Sequence, residues 1–395
     1  MKALTNAKIV LPDRIIGGNV IVNGDRISAV GETDIPDDAE IIDAGGLYVG
    51  PGLVDEHVHG YHQYGEGFDI IDNTRAVADA HLKHGVTSIT PSPSYSLRMD
   101  RYLSIIGQCN KAISEGGSTI AGIHLEGPYI NPHLGAGRKY AWKYSDEAFT
   151  RLFEAARGNV LHCTYAPEMP YAENVEDIIN KYGAVMDIGH TQADPGSIYR
   201  SVKKGLKIVT HLFDATGNYQ GIHAFDMTGD PQDGVSYVVL GIPGLYYELI
   251  SDSAGIHATY ASQRLALRCA GEDHIILVSD CTYHKRADSN PEDYADNAGK
   301  PADINLGKGG RLFGSRLTVA DCAANFMKAT GADIRVTFKC ASTNSARALG
   351  LYDSLGSVEP GKKANLVFAD DSFTIRKVIF EGNEIAGVRS RQQPE

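Results

Sequence analysis

PGLVDEHVHG, residues 51–60, carries an apolar run that closes on His57 and His59. Side chains two apart on a β-strand point the same way, so both imidazoles fall on one strand face, a geometry that suits a divalent metal. Two solvated histidines at a strand end would give the same pattern, so the reading rests on partners elsewhere in the chain. Four further apolar runs each end on a polar group: IHLEGP on Glu126, DIGHT on His190, THLFDA on His211 and ILVSD on Asp280. This repetition predicts an α/β fold of the (β/α)8 TIM barrel type, because there the carboxyl ends of all eight strands open onto one face.

Enough strands are present to build it. Apolar runs cover about 52–59, 87–92, 120–127, 160–167, 184–191, 207–215, 245–252 and 274–280. Helix-like stretches separate them, among them TRAVADAHLKHG, RYLSIIGQCNKAISEGG, SDEAFTRLFEAARG and ENVEDIINKYG, and most close on Gly, a common helix stop. Alternating strands and helices imply a parallel sheet with right-handed crossovers. A doubly wound open sheet is the competing architecture, but it gathers its site at one switch point and not from five strand ends. Residues 1–50 carry short alternating runs punctuated by Gly, Asn and Asp, and residues 356–395 resemble them. Neither stretch alone buries a stable face, so the two are expected to combine into a small antiparallel β-sandwich, with the barrel, 51–355, inserted between them.

Composition fits a large soluble enzyme. The 395 residues, 43% hydrophobic and 22% charged, are enough for a barrel and a satellite domain. A net charge of −12 argues against general nucleic-acid binding, which draws on clustered Lys and Arg. No apolar stretch approaches the roughly 20 residues of a membrane span, and MKALTNAKIV lacks the apolar core of a secretory signal, so a cytoplasmic protein with no membrane partner is expected. The six cysteines, Cys109, Cys163, Cys269, Cys281, Cys322 and Cys340, form no CxxC pair and read as structural thiols. Cys281 follows Asp280, but a nucleophilic role would require an activating base nearby.

Neutral imidazoles with a carboxylate suit one or two divalent ions, Zn²⁺ first and Fe²⁺, Mn²⁺ or Co²⁺ as alternatives. Such an ion lowers the pKa of water toward ~7 and polarises a carbonyl, while a nearby carboxylate carries the proton. Asp280 is the natural candidate for that carboxylate; its bland reading is a helix N-cap. Glu126, His190 and His211 could each be a satisfied core residue in isolation. Their conjunction with the HxH pair favours ligation.

The chain resembles the amidohydrolase superfamily and, within it, the N-acetylglucosamine-6-phosphate deacetylases, nearly end to end. PGLVDEHVHG, HGVTSITPS, HLEGPYINP, GHTQA, THLFDA, ELISDSAGIHA, LVSD, LTVADCAANF and GSVEPGKKANLVFAD follow in the family's order. The resemblance implies that Glu126, His190 and His211 hold the principal metal. It implies that His57 and His59 bind a second ion, bridged by Glu126, and that Asp280 is the catalytic acid/base. His257 matches a catalytic histidine that contacts substrate and polarises the reacting carbonyl, and a homodimer is implied as well. The chain departs from the pattern after His211. Asp214 stands where Asn is usual, and no Arg or Lys falls between His211 and Gly234, where an Arg ordinarily helps hold the sugar phosphate. Asp214, Ala215 and His223 in this stretch are candidate substrate contacts. Arg138 with Lys139, and Arg286 with Lys285, are the alternative anion-binding pairs, Arg suiting phosphate through its bidentate fork.

The expected activity is metal-dependent hydrolysis of a C–N amide bond, with an N-acetyl amino sugar or its 6-phosphate as the small-molecule substrate. A different small amide, cyclic or N-acyl amino acid, is the enzymatic alternative, and a catalytically silent scaffold the non-enzymatic one. A scaffold has no reason to keep Glu126, His190, His211 and Asp280 at strand ends.

Overall fold

The computed structural model of the protein describes residues 1–135, 142–217, 234–283, 303–307 and 311–389. Six parallel strands, Ile123–Glu126, Val160–Tyr165, Val185–Ile188, Leu206–Val209, Tyr246–Leu249 and Ile275–Leu277, pair in sequence order. Leu53–Val58 and Val86–Pro91 form a separate parallel pair. Parallel bridges join the two groups at both edges, Ile89 to Ile120 and Ser94 to Glu126 on one side and Val58 to Cys281 on the other. Backbone hydrogen bonds from Asp280 N to His57 O and from His59 N to Cys281 O, each 2.9 Å, complete that second edge. The ring of eight strands is therefore TIM-barrel-like, and an open doubly wound sheet is excluded. Leu53–Val58 and Ile123–Glu126 are buried at every position, as strands covered on both faces must be.

The helices lie close to the stretches read from sequence: Ile70–Leu82, Met99–Glu115, Asp146–Ala156 and Ala172–Lys181. Ser145 caps the third through the Ala148 N–H, and Thr318 with Asp321 forms a capping box at the start of Val319–Thr330. A two-stranded hairpin, Gly60–Gln63 with Glu66–Asp69, intervenes between the first barrel strand and its helix. The opening motif needs glycine at position 52: a Cβ there would lie 2.1 Å from Thr87 Oγ1 in the neighbouring strand. No helix among the described residues is long and apolar enough to cross a membrane.

The chain ends meet in one eight-stranded sheet. Tyr48–Pro51 pairs with Lys2–Val10 on one side and antiparallel with Leu366–Ala369 on the other. The sheet is mixed and not purely antiparallel, since Glu40–Asp43 and Tyr48–Pro51 both run parallel to Lys2–Val10. It has its own apolar cluster, including Leu4, Ile9, Val20, Val49, Leu366, Phe368 and Ile379. A charged clamp braces the barrel near the eighth strand: Arg335 reaches Glu272 through two bonds of 2.8 and 2.7 Å, and Lys339 adds a third of 2.6 Å. Arg335 also donates to the Pro12 carbonyl at 3.2 Å, tying in the N-terminal segment.

Hydrogen bonds from Arg335 hold the Glu272 carboxyl down to about 2 from an ordinary value near 4.5. The folded value is the lower one, so the stabilisation is present above the unfolded pKa and lost as pH falls from about 4.5 toward about 2. Glu272 is a third exposed, and solvent screening reduces the effect to about 1–2 kcal/mol. Glu272→Gln is expected to remove that amount at about pH 7 and to cost little at about pH 2. Urea unfolding at both values checks it; an equal loss at both would contradict the ion-pair account.

Candidate metal centre and active site

The barrel strands deliver six polar side chains to one end of the ring. His57 lies within the first strand and His59 one residue beyond it; Glu126 is the last residue of the third. His190 and His211 follow the fifth and sixth strands by two residues, and Asp280 follows the eighth by three. These last three residues have left-handed backbone, with φ of 47° at His190, 29° at His211 and 45° at Asp280. Such a turn costs a non-glycine residue on the order of 1–3 kcal/mol and persists where the surrounding structure over-determines it, commonly at functional sites.

Glu126 is the centre. Its carboxylate oxygens lie 2.8 Å from His190 Nε2, 3.5 Å from His59 Nε2, and 3.6 Å from both His57 Nε2 and His211 Nε2. Asp280 Oδ1 is 3.1 Å from His59 Nε2 and 3.9 Å from His57 Nε2. Of the three groups of potential ligand atoms close enough to share an ion among the described residues, two lie at this centre, His57, Glu126 and His211, and His57, His59 and Asp280; the third is His124, His162 and Asp187. His57 belongs to both groups at the centre.

Burial alone would raise the Glu126 carboxyl, but the close approach of His190, His211 and His57 holds it well below the usual range. The Asp280 carboxyl is likewise lowered against burial by the hydrogen bond with His59. Burial would depress the His211 imidazole, yet Glu126 lifts it to about 9; burial prevails at His190, which is lowered. The centre thus gathers two buried anions and the Nε2 atoms of four imidazoles, the donor set that borderline divalent ions prefer. His57 Nε2 is buried and has no hydrogen-bond partner. An unmatched buried group of this kind costs about 1–3 kcal/mol, and a cation held by His57 with Glu126 and His211, or with His59 and Asp280, would remove that cost. The residues therefore fit a divalent metal.

Neighbouring groups fix the histidines in place. His57 Nδ1 is 3.0 Å from Glu248 Oε2, and His59 Nδ1 is 2.6 Å from the Ser92 carbonyl. Glu248 escaped the sequence reading, although a carboxylate inside the apolar run LYYELI is itself a signal. A deeper buried layer was also missed: His124 stacks on His162 at 4.0 Å between ring centroids, and His162 bonds to Asp187 at 2.5 Å.

His257 is buried and held by Asp252, whose Oδ2 lies 3.0 Å from the ring Nδ1 and accepts the His257 backbone N–H at 2.8 Å. Burial would lower the imidazole, but the hydrogen bond it donates to Asp252 raises it, helped by the charges of Asp214 and Asp280. Its Nε2 has no partner. A pocket opens over the Glu126 cluster, lined among others by His59, Ser94, Tyr95, Glu126, His190, His211, Asp214, Ala215 and Asp280. His257 is outside its described lining. Arg138, His223 and Arg286, with Lys139 and Lys285, lie outside the described residues. Cys281 is fully buried, and burial pushes its thiol well above the ordinary range, which leaves it protonated and unreactive.

Comparison with known proteins agrees with this architecture. The family model described as the Amidohydrolase family matches residues 48–385. The N-acetylglucosamine-6-phosphate deacetylase of Bos taurus is 27% identical over 399 residues, covering 96% of this chain and 94% of that protein. That of Bacillus subtilis (strain 168) is 27% identical, covering 95% and 94% respectively. Among solved structures, the N-acetylglucosamine-6-phosphate deacetylase from Pasteurella multocida superposes with a TM-score of 0.84 at 26% identity, covering 98% of this chain and 100% of that one. The match takes in every strand of the barrel together with Glu126, its four histidines and Asp280, and on that ground the chain belongs to the amidohydrolase family.

Proposed function

We propose that this amidohydrolase removes the acetyl group of N-acetylglucosamine 6-phosphate or a closely related N-acetyl amino sugar. The observation that carries the reading is the arrangement of four imidazole Nε2 atoms within 3.6 Å of the Glu126 carboxylate, with Asp280 against His59. Full-length similarity to deacetylases supports the substrate class. Glu126, His190 and His211 would hold the principal ion, and His57 with His59 a second one; zinc suits these donors, with iron, manganese and cobalt as alternatives. A divalent ion at this centre supplies Lewis-acid activation of water and of the amide carbonyl. Asp280, kept ionised by its surroundings, takes the proton from the attacking water and returns it to the leaving amine. The unpartnered Nε2 of His257 donates to the carbonyl oxygen as charge develops there. Asp252 fixes the ring for that task.

Asp214 and Ala215 line the pocket at the position where a sugar would sit. Among the described lining residues there is no Lys or Arg, while Asp69 and Asp214 are present. This favours, as a second reading, an unphosphorylated amino sugar or another small uncharged amide, because anions repel at short range. Phosphate recognition would otherwise draw on Arg138 or Arg286. His223 is retained as a further substrate contact. We also read residues 1–50 and 356–395 as one small sandwich-like domain beside a 51–355 barrel, supported by their shared sheet and apolar cluster. A cytoplasmic homodimer completes the proposal by likeness to the family.

Amine release from N-acetylglucosamine 6-phosphate and from N-acetylglucosamine, measured side by side on metal-loaded protein, tests the substrate. The proposal expects turnover of at least one. Preference for the phosphorylated sugar would assign the anion to the basic pairs; hydrolysis of neither would reject the amino-sugar reading.

A further inference from the structure

Glu248, in the seventh barrel strand Tyr246–Leu249, is wholly buried and engages two of the metal-binding histidines at once. A single oxygen, Oε2, lies 3.0 Å from His57 Nδ1 and accepts the His211 backbone N–H at 3.1 Å. The backbone carbonyl of the same residue accepts the Leu212 N–H at 2.8 Å. Glu248 therefore grips the 211–212 turn by side chain and main chain together. That turn is the one held at a φ of 29°.

The two contacts have definite consequences. A carboxylate beside Nδ1 keeps the proton on that nitrogen, which leaves the Nε2 lone pair of His57 facing Glu126 and Asp280. Nε2 is the buried ring atom with no partner of its own. At His211 the bond to the main chain fixes where the ring projects, and its Nε2 meets His190 Nε2 at 3.1 Å. His57 and His211 belong together to one potential ligand group, and His57 to the other group at this centre as well.

We infer that Glu248 is a positioning residue that supports both metal positions from beneath: it sets the tautomer of His57 and the backbone at His211, and so determines metal affinity without touching the metal. The inference rests on the metal-centre reading above. Residues in this supporting role typically contribute about 10–100-fold in affinity. Glu248→Gln keeps the shape and an acceptor oxygen but loses the charge; Glu248→Leu loses both.

The test is Zn²⁺ affinity by competition with a chromogenic chelator on full-length protein, with metal per chain measured after dialysis. The electronic spectrum of the Co²⁺-substituted forms reports the ligand geometry. The expected result is a loss of about 10-fold for Glu248→Gln and about 100-fold for Glu248→Leu, with an altered cobalt spectrum and no change in the melting temperature of metal-free Glu248→Gln. Wild-type affinity and spectrum in Glu248→Gln would overturn the inference, whether or not the Leu variant folds. Wild-type protein that takes up neither Zn²⁺ nor Co²⁺ would instead defeat the metal-centre reading beneath it.

Discussion

Asp280→Asn is expected to lower kcat for deacetylation by about 1,000-fold, within the range of 10²–10⁴ typical of a positioned general acid/base. Asp280 is buried at the mouth of the centre, in a left-handed turn that places Oδ1 3.1 Å from His59 Nε2. The hydrogen bond with His59 holds the carboxyl below its ordinary value despite burial, so it is ionised and able to accept a proton near neutral pH. Asparagine has nearly the same shape and cannot do so. The group built on Glu126 does not include Asp280, so the variant should retain at least one ion per chain. Steady-state kinetics on metal-reconstituted protein, with elemental analysis of the same samples, checks both statements. A kcat within about tenfold of wild type would remove Asp280 from proton transfer while leaving the metal centre intact.

Glu126→Gln should have the second large effect, through metal content. All four histidines of the centre converge on this carboxylate, and the amide keeps its volume while removing the one anion they share. Metal affinity is expected to fall by more than about 100-fold, beyond the loss typical of a supporting residue. Added Zn²⁺ should raise the melting temperature of the wild type, since an ion present at about 1,000 times its Kd stabilises the folded state by about 4 kcal/mol. The variant should show almost none of that rise. Equal metal-induced stabilisation in the two proteins would place the ion elsewhere.

The sequence carried the barrel because parallel strands buried on both faces are written as apolar runs, and all eight runs became strands. Their downstream ends were overestimated. The run assigned to 184–191 stops at Ile188, and that assigned to 207–215 stops at Val209, because His190 and His211 leave the ladder through left-handed turns that no hydrophobic pattern encodes. The polar residues that meet around Glu126 were legible because polar side chains at strand ends are conspicuous against apolar runs. Glu248 and Asp252 were not, since their roles rest on contacts with His57, 191 positions away, and with a buried imidazole whose orientation is a tertiary fact. The terminal sheet shows the same limit. Alternation revealed its strands, but the parallel pairing of Tyr48–Pro51 with Lys2–Val10 depends on how the chain returns, which alternation does not record.

Acetate release from N-acetylglucosamine 6-phosphate, by metal-reconstituted protein and by the same preparation stripped with a chelator, tests the central claim most directly. The account predicts turnover by the reconstituted enzyme, its loss on stripping and its recovery when Zn²⁺ is returned. Turnover that survives verified removal of the metal, or no acetate from a protein shown to carry it, would contradict metal-dependent deacetylation at the Glu126 centre.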